Sequence, residues 1–321
     1  MKYLNETDIW KCVTMTDVID SIDEAYWQYE EGNFKMPTRS QIPDGDNTLI
    51  LMPCISSASI GTKLVTSFPH NQTHPTLHSL VILNDKDNGS IQAMMDGAFL
   101  TGLRTGAIGG SAVRHLAKPV VKTLAVVGTG VQGYYQTLAA CSERDFTDIY
   151  FYNRSLHKVP DFIEQLRPHL NPETRLHICS TVENAVRDSD VIITATTSKT
   201  PVLPEDESLY YGKLVIGVGS FQPAMQEFPN SLFRSAQAYY IDSHDAKKES
   251  GDVINPIKHG TIHESQIQNF SAVIKNGIQS NQLNYEEGSV IFKSTGMALF
   301  DVVCASDIYE RAKELNVGTE L

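Results

Sequence analysis

Residues 125–140 read AVVGTGVQGYYQTLAA, an apolar run that stops at a glycine and restarts as a helix-compatible segment. The run at 124–127 has the length of a buried strand, and Gly128, Gly130 and Gly133 complete the pattern G-x-G-x-x-G. Between a strand and a helix each glycine has its own task. The first permits a tight turn, the second lets backbone N–H groups approach a pyrophosphate, and the third allows helix and strand to pack closely. The positive end of the helix then faces the diphosphate. The same three residues could serve a tight turn alone. Their place between strand and helix favours the phosphate cradle, with Gly128, Gly130, Val131, Gln132 and Gly133 as the expected contacts.

Composition is compatible with that reading. A chain of 321 residues is long enough for two domains and a full core. No apolar run approaches the ~18 residues of a membrane span, and the start, MKYLNETDIWKC, lacks the apolar stretch of a signal peptide. Cys12, Cys54, Cys141, Cys179 and Cys304 are scattered and odd in number, with no C-x-x-C pair. Reduced thiols in a cytoplasmic protein are expected, without a structural metal. A formal charge of −12 argues against nucleic acid or an anionic membrane as partner. It does not exclude an anionic small molecule, because a few cations can govern one cleft.

Outward from the glycine motif the chain changes character once on each side. Residues 17–32, DVIDSIDEAYWQYEEG, have helical spacing with an acidic outer face. Short runs follow (TLILMPCI, IGTKLVTSF, HSLVILND and GSIQAMMDG), whose Gly, Asn and Asp punctuation predicts a mainly antiparallel sheet. AFLTGLRTGAIGGSAVRHLA is a long small-residue helix, and Pro119 in KPVVK should end it and mark a domain boundary. From Lys122 strands alternate with helices: TLAVVG, DIYFYNRS, RLHICST, DVIITATTS, KLVIGVGS and AQAYYIDS are successive buried strands. The alternation predicts an α/β fold, a doubly wound parallel sheet of the Rossmann type. The tail is helical from about Gly296 and is expected to pack back on the first domain. That gives a discontinuous α+β domain over 1–118 and 295–321, and a dinucleotide-binding domain over 119–294.

The second strand carries the cofactor preference. NAD enzymes place an acid near the ribose hydroxyls about 20 residues past the third glycine; here the segment is FYNRS, with Asn153 at that place. An acid would repel a 2′-phosphate. Asn153 and Ser155 can donate hydrogen bonds to one, and Arg154 can pair with it. A solvated surface arginine is the alternative. The balance favours NADP(H), with NAD(H) possible.

Three cations in the first domain sit in unusual settings. Arg39 lies in MPTRS, Lys63 in the apolar-flanked GTKLVTSF, and Arg104 in the small-residue helix LTGLRTGA. Each alone could be a surface charge with an apolar stem. Together, in segments that otherwise look buried, they can form a carboxylate clamp, with two planar forks and one ammonium whose pKa can fall on burial.

The ordered set PTR, GTKLV, DGAFLTGLRTGA, GTGVQG, NRS, GVGSFQPAMQE and FKSTGMALFD resembles the ornithine cyclodeaminase/mu-crystallin family along nearly the whole chain. The resemblance implies a substrate and dimerisation domain built from both chain ends, a Rossmann domain, a homodimer, and nicotinamide chemistry on amino or imino acids. It implies that Arg39, Lys63 and Arg104 hold the substrate carboxylate, with Lys63 near the reacting nitrogen. Ser79, Thr196 and Val218 would line the cofactor. One departure matters. Members that act on ornithine carry an Asp two residues before the proline of GVGSFQPAMQE, and this chain has Phe221. An aromatic ring cannot hold the distal ammonium or accept its proton. Members that reduce cyclic ketimines lack the acid too, so the expected reaction is reduction of an imine such as Δ1-pyrroline-2-carboxylate to L-proline. Ornithine cyclodeaminase, alanine dehydrogenase and a non-catalytic NADPH or small-ligand binder are the alternatives. Glu227, the nearest carboxylate of that segment, is expected to be structural.

Overall fold

In a computed structural model that describes residues 1–277 and 283–321, the chain divides into two units, Met1–Arg104 with Met297–Leu321, and Thr105–Gly296. The first opens with β1 (Lys2–Leu4), α1 (Glu6–Cys12) and α2 (Met15–Glu31). Thr14 caps α2 reciprocally with Asp17, and Gly32, at φ 71°, closes its other end. Val18, Ile19, Ile22, Ala25 and Tyr26 are its buried stripe, at the spacing of one helical face.

The sheet of this unit continues through β2 (Ser40–Asp44), β3 (Asn47–Ile55), β4 (Ile60–Ser67), β5 (Leu77–Asn84) and β6 (Ile91–Asp96). Each of these pairs antiparallel with the next, as the turn-punctuated sequence predicts. β1 then joins β6 in parallel. The C-terminal helix (Ala298–Glu314) packs on β3, β4, β5 and α2. Tyr26 and Phe300 meet edge to face at 4.8 Å there. The small-residue helix α3 (Gly97–Leu116) ends three residues before Pro119.

The second unit holds a parallel sheet of β7 (Thr123–Val127), β8 (Asp148–Tyr152), β9 (Arg175–Ile178), β10 (Val191–Thr194), β11 (Leu214–Gly217), β12 (Ala236–Ile241), β13 (Ile267–Asn269) and β14 (Ser289–Lys293). The order across it is β13-β12-β14-β11-β10-β7-β8-β9. From β7 the chain moves outward to β8 and β9, then returns to β10 on the other side. The order therefore reverses between β7 and β10, which is where open parallel sheets form a ligand crevice. The six strands read from the sequence are all present. Two were not read from it: β13, at the sheet edge, and SVIFK, β14, inserted between β11 and β12; a short apolar run is not by itself distinguished from a helical segment. Among the described residues no helix is long and apolar enough to cross a membrane.

Candidate active site

The glycine turn joins β7 to α4 (Val131–Glu143). Gly128 has φ +106°, and a Cβ there would lie 2.6 Å from the Ala195 carbonyl oxygen and 2.9 Å from the Thr196 methyl. A Cβ on Gly133 would lie 2.1 Å from the Gly128 carbonyl oxygen, so turn and helix touch backbone to backbone. Gly130, the N-cap of α4, is different: nothing lies within 4 Å of the side chain it lacks. That opening, beside free N–H groups at a helix start, can admit a diphosphate. Val131 is exposed and Gln132 half-buried at the same helix end.

At the end of β8, Asn153 Nδ2 donates to Thr129 Oγ1 at 2.8 Å, tying the second strand to the glycine turn. Thr129 was not singled out from the sequence, since the middle positions of the motif are free. Arg154 is exposed and Ser155 half-buried beside it. Past β10, Thr196 packs against Gly128, and past β11 the N–H of buried Val218 donates to the Thr194 carbonyl at 3.0 Å. Glu227 is fully buried and accepts from Thr196 and from the segment after β11. Phe221 lies in that segment and is 40% exposed.

The cation cluster of the first unit is built on β4. Gly61 and Lys63 project from the same face of the strand, and the Gly61 Cα stands so close to the C-terminal helix that a Cβ would meet Val302 at 2.8 Å. That approach brings the neighbouring Asp301 down onto the sheet. Its Oδ1 accepts from Lys63 Nζ at 2.9 Å and from Arg104 Nε at 2.9 Å, and Lys63 also lies 2.9 Å from Oδ2. All three side chains are buried, with Asp301 fully so. Burial, helped by the Arg104 guanidinium and by Arg39, pulls the Lys63 ammonium down to about 8 against the opposing pull of Asp301. Burial would raise the Asp301 carboxyl, but Arg104 and Lys63 outweigh it and hold the group below its ordinary value. Arg39 is half-buried just before β2. Ser79 faces the same side of the sheet as Lys63, two pairs along the β4–β5 register.

Asp301 is the residue of the cation cluster that sequence reasoning missed. The motif FKSTGMALFD ends on it, but a lone Asp on an amphipathic helix ordinarily faces water. Its neighbours in the helix, Phe300, Val302 and Val303, are buried, and an acid inside such a run was the available signal.

A sequence profile of the ornithine cyclodeaminase/mu-crystallin family matches residues 2–316, and the chain belongs to that family. It is 32% identical over 316 residues to a Δ1-pyrroline-2-carboxylate reductase of Bacillus cereus, covering 96% of each chain. Among solved structures it resembles the Δ1-pyrroline-2-carboxylate reductase of Thermococcus litoralis in complex with NADH and L-proline. There the TM-score is 0.92, with 29% identity and full coverage of both chains. An archaeal alanine dehydrogenase dimer with bound NAD matches at TM-score 0.90 and 26% identity, covering 100% of this chain and 98% of that one.

Proposed function

We propose that the protein reduces a cyclic imino acid with a nicotinamide cofactor, in the manner of Δ1-pyrroline-2-carboxylate and a proton giving L-proline. The observation that carries this reading is the buried Lys63–Arg104–Asp301 cluster. Two cations share one carboxylate there, and a buried surplus of positive charge is stabilised by an incoming anion. The substrate carboxylate meets that need and can take the guanidinium N–H groups of Arg104 that Asp301 leaves, with Arg39 adding a second fork.

The glycine turn, with its open side at Gly130, fits a dinucleotide; once bound, the cofactor supplies a hydride to the imine carbon. The chain's own residues do the rest. The clamp fixes one face of the C=N bond, which is catalysis by orientation. Lys63, protonated and close to its midpoint near neutral pH, is suited to give a proton to the imine nitrogen. Likeness to the two named reductases supports the substrate class. Phe221 supports reduction over ornithine cyclisation, since no carboxylate stands at that position to take the distal amine. The likeness to alanine dehydrogenase makes L-alanine with NAD+ the control reaction.

NADPH is the preferred cofactor in this reading, because Asn153, Arg154 and Ser155 stand where an acid would exclude a 2′-phosphate. The working assembly is a homodimer joined through the open face of the first unit's sheet. Leu51, Leu64 and Leu80 form one cross-strand row on that face, and Ile42, 52% exposed, lies on it too. Apolar rows of this kind favour self-association. Light scattering at micromolar concentration should return about twice the chain mass of 35.6 kDa; a monomer would remove the assembly. The catalytic reading is tested by turnover of Δ1-pyrroline-2-carboxylate with NADPH or NADH, and absence of turnover with both would reject it.

A further inference from the structure

The second unit contains an ionic cluster that the reaction does not use. Glu227, Asp252 and Lys293 are each fully buried. Lys293, the last residue of β14, places its Nζ 3.5 Å from Asp252 Oδ2 and 3.8 Å from Glu227 Oε2. Asp252 Oδ1 accepts from the backbone N–H of Glu227 and of Phe228, both at 2.8 Å, so the backbone that carries the Glu227 side chain is itself held.

The Glu227 carboxylate reaches two separate segments. Oε1 accepts from the Thr196 N–H at 2.7 Å and from its hydroxyl at 2.9 Å. Oε2 accepts from the N–H groups of Gly219 at 2.8 Å and Ser220 at 3.1 Å. These segments leave the carboxyl ends of β10 and β11, at the crevice where the strand order reverses. Thr196 in turn packs against Gly128. A Cβ on Gly219 would lie 2.0 Å from the Thr196 carbonyl oxygen, so the two segments meet with no room for a side chain.

We infer that Glu227 is a positioning residue for the cofactor: it pins the segments after β10 and β11 to each other and holds Thr196 as a fixed wall of the glycine turn. The inference rests on the nicotinamide reading of that turn. Four donors converge on two oxygens in a dry site, an arrangement that a carboxylate satisfies and an amide cannot. A glutamine would offer one oxygen and turn an NH2 group toward two of the N–H donors. The crevice is thereby built before the cofactor arrives, so binding need not order it.

The test is direct titration of NADPH and of NADH by fluorescence energy transfer, on the unaltered protein, Glu227→Gln and Gly219→Ala. Each variant should bind the cofactors at least 10-fold more weakly, while the KM for the imine at saturating cofactor changes less than 3-fold. A role in stability alone would lower the melting temperature and leave the affinity of the folded protein unchanged. Affinity within 2-fold of the unaltered protein in folded Glu227→Gln overturns the inference. Should either variant not fold, amide hydrogen exchange on the unaltered protein without cofactor decides. Strong protection at Thr196, Gly219 and Ser220 is the expected result, and exchange at exposed-loop rates contradicts it. An unaltered protein that binds cofactor tightly but reduces no imine removes the reductase reading and leaves this one standing.

Discussion

The two units each bury a lysine against carboxylates, and the charge count separates them. In the first, Lys63 and Arg104 share Asp301, a surplus of one positive charge in a buried place. In the second, Lys293 faces Glu227 and Asp252, a surplus of one acidic group, with burial raising both carboxyls above their ordinary range. The second surplus is absorbed locally. Backbone N–H groups of Thr196, Gly219, Ser220, Glu227 and Phe228, with the Thr196 hydroxyl, all point at the two carboxylates. For the first surplus, among the described residues, Asp301 is the carboxylate that faces both cations, and in the proposed reaction the substrate carboxylate would supply the balancing charge. Burial thus makes a charge costly in both places; the supply of neighbouring dipoles decides whether it becomes scaffold or site.

Removing either lysine breaks this contrast in a different way. Lys293→Met leaves two buried carboxylates facing each other, and the loss should appear as stability, about 3–5 kcal/mol in denaturant unfolding. A loss under about 1 kcal/mol would mean that the backbone donors suffice without the cation. Lys63→Ala leaves Asp301 still paired with Arg104, so the stability loss should be smaller. Instead kcat/KM for Δ1-pyrroline-2-carboxylate should fall roughly 10²-fold or more, as should that of Arg104→Ala, if orientation contributes ~3 kcal/mol in the transition state. Variants that lose stability but keep kcat/KM would make both clusters scaffold.

On the nucleotide side, Arg154→Ala should weaken NADPH binding by about 1–3 kcal/mol and leave NADH nearly unchanged, the range of a charge-assisted bond. Equal titrations before and after the change would remove Arg154 from phosphate recognition. The smallest effect is a shift in pH dependence. Lys63 is depressed to about 8, so the protonated, proton-giving form is lost as pH rises through that value. The kcat/KM for the imine should hold below it and fall about tenfold per pH unit above it. Asp301 is the group that raises the proton affinity of Lys63, against burial, Arg104 and Arg39. In Asp301→Asn the falling limb should therefore move to lower pH. A limb that stays in place belongs to another group. Stability has the matching sign. Between about 8 and the ordinary lysine range the unfolded chain holds a proton that the folded one has lost, so this residue adds stability as pH rises there.

The sequence showed the nucleotide unit more fully than the clamp. AVVGTGVQG lies within one strand, turn and helix, and its meaning is local: glycine spacing and apolar length suffice. Lys63 and Arg104 were visible only as charges out of place in apolar segments. Their common partner could not be read, because Asp301 is 238 residues from the one and 197 from the other. The four donors to Glu227 come from positions 7, 8 and 31 residues away, on two strand ends that only the sheet order brings together. SVIFK shows the same limit. It was not read as a strand, and its place between β11 and β12 is a property of topology.

The protein is expected to reduce a preformed cyclic imine and not to close a ring from ornithine. The decisive measurement is kcat/KM for Δ1-pyrroline-2-carboxylate and for L-ornithine on one preparation of the unaltered protein, with both cofactors supplied in the oxidation state each reaction needs. Reduction requires only the clamp, a hydride donor and one proton, all of which the chain can provide or hold. Ornithine cyclisation, as the family resemblance implies it, uses a carboxylate at the position where Phe221 stands. Efficient imine reduction with ornithine turnover at least 10²-fold lower is the predicted result. Efficient deamination of ornithine would contradict it and would show that another residue performs the work of the missing acid.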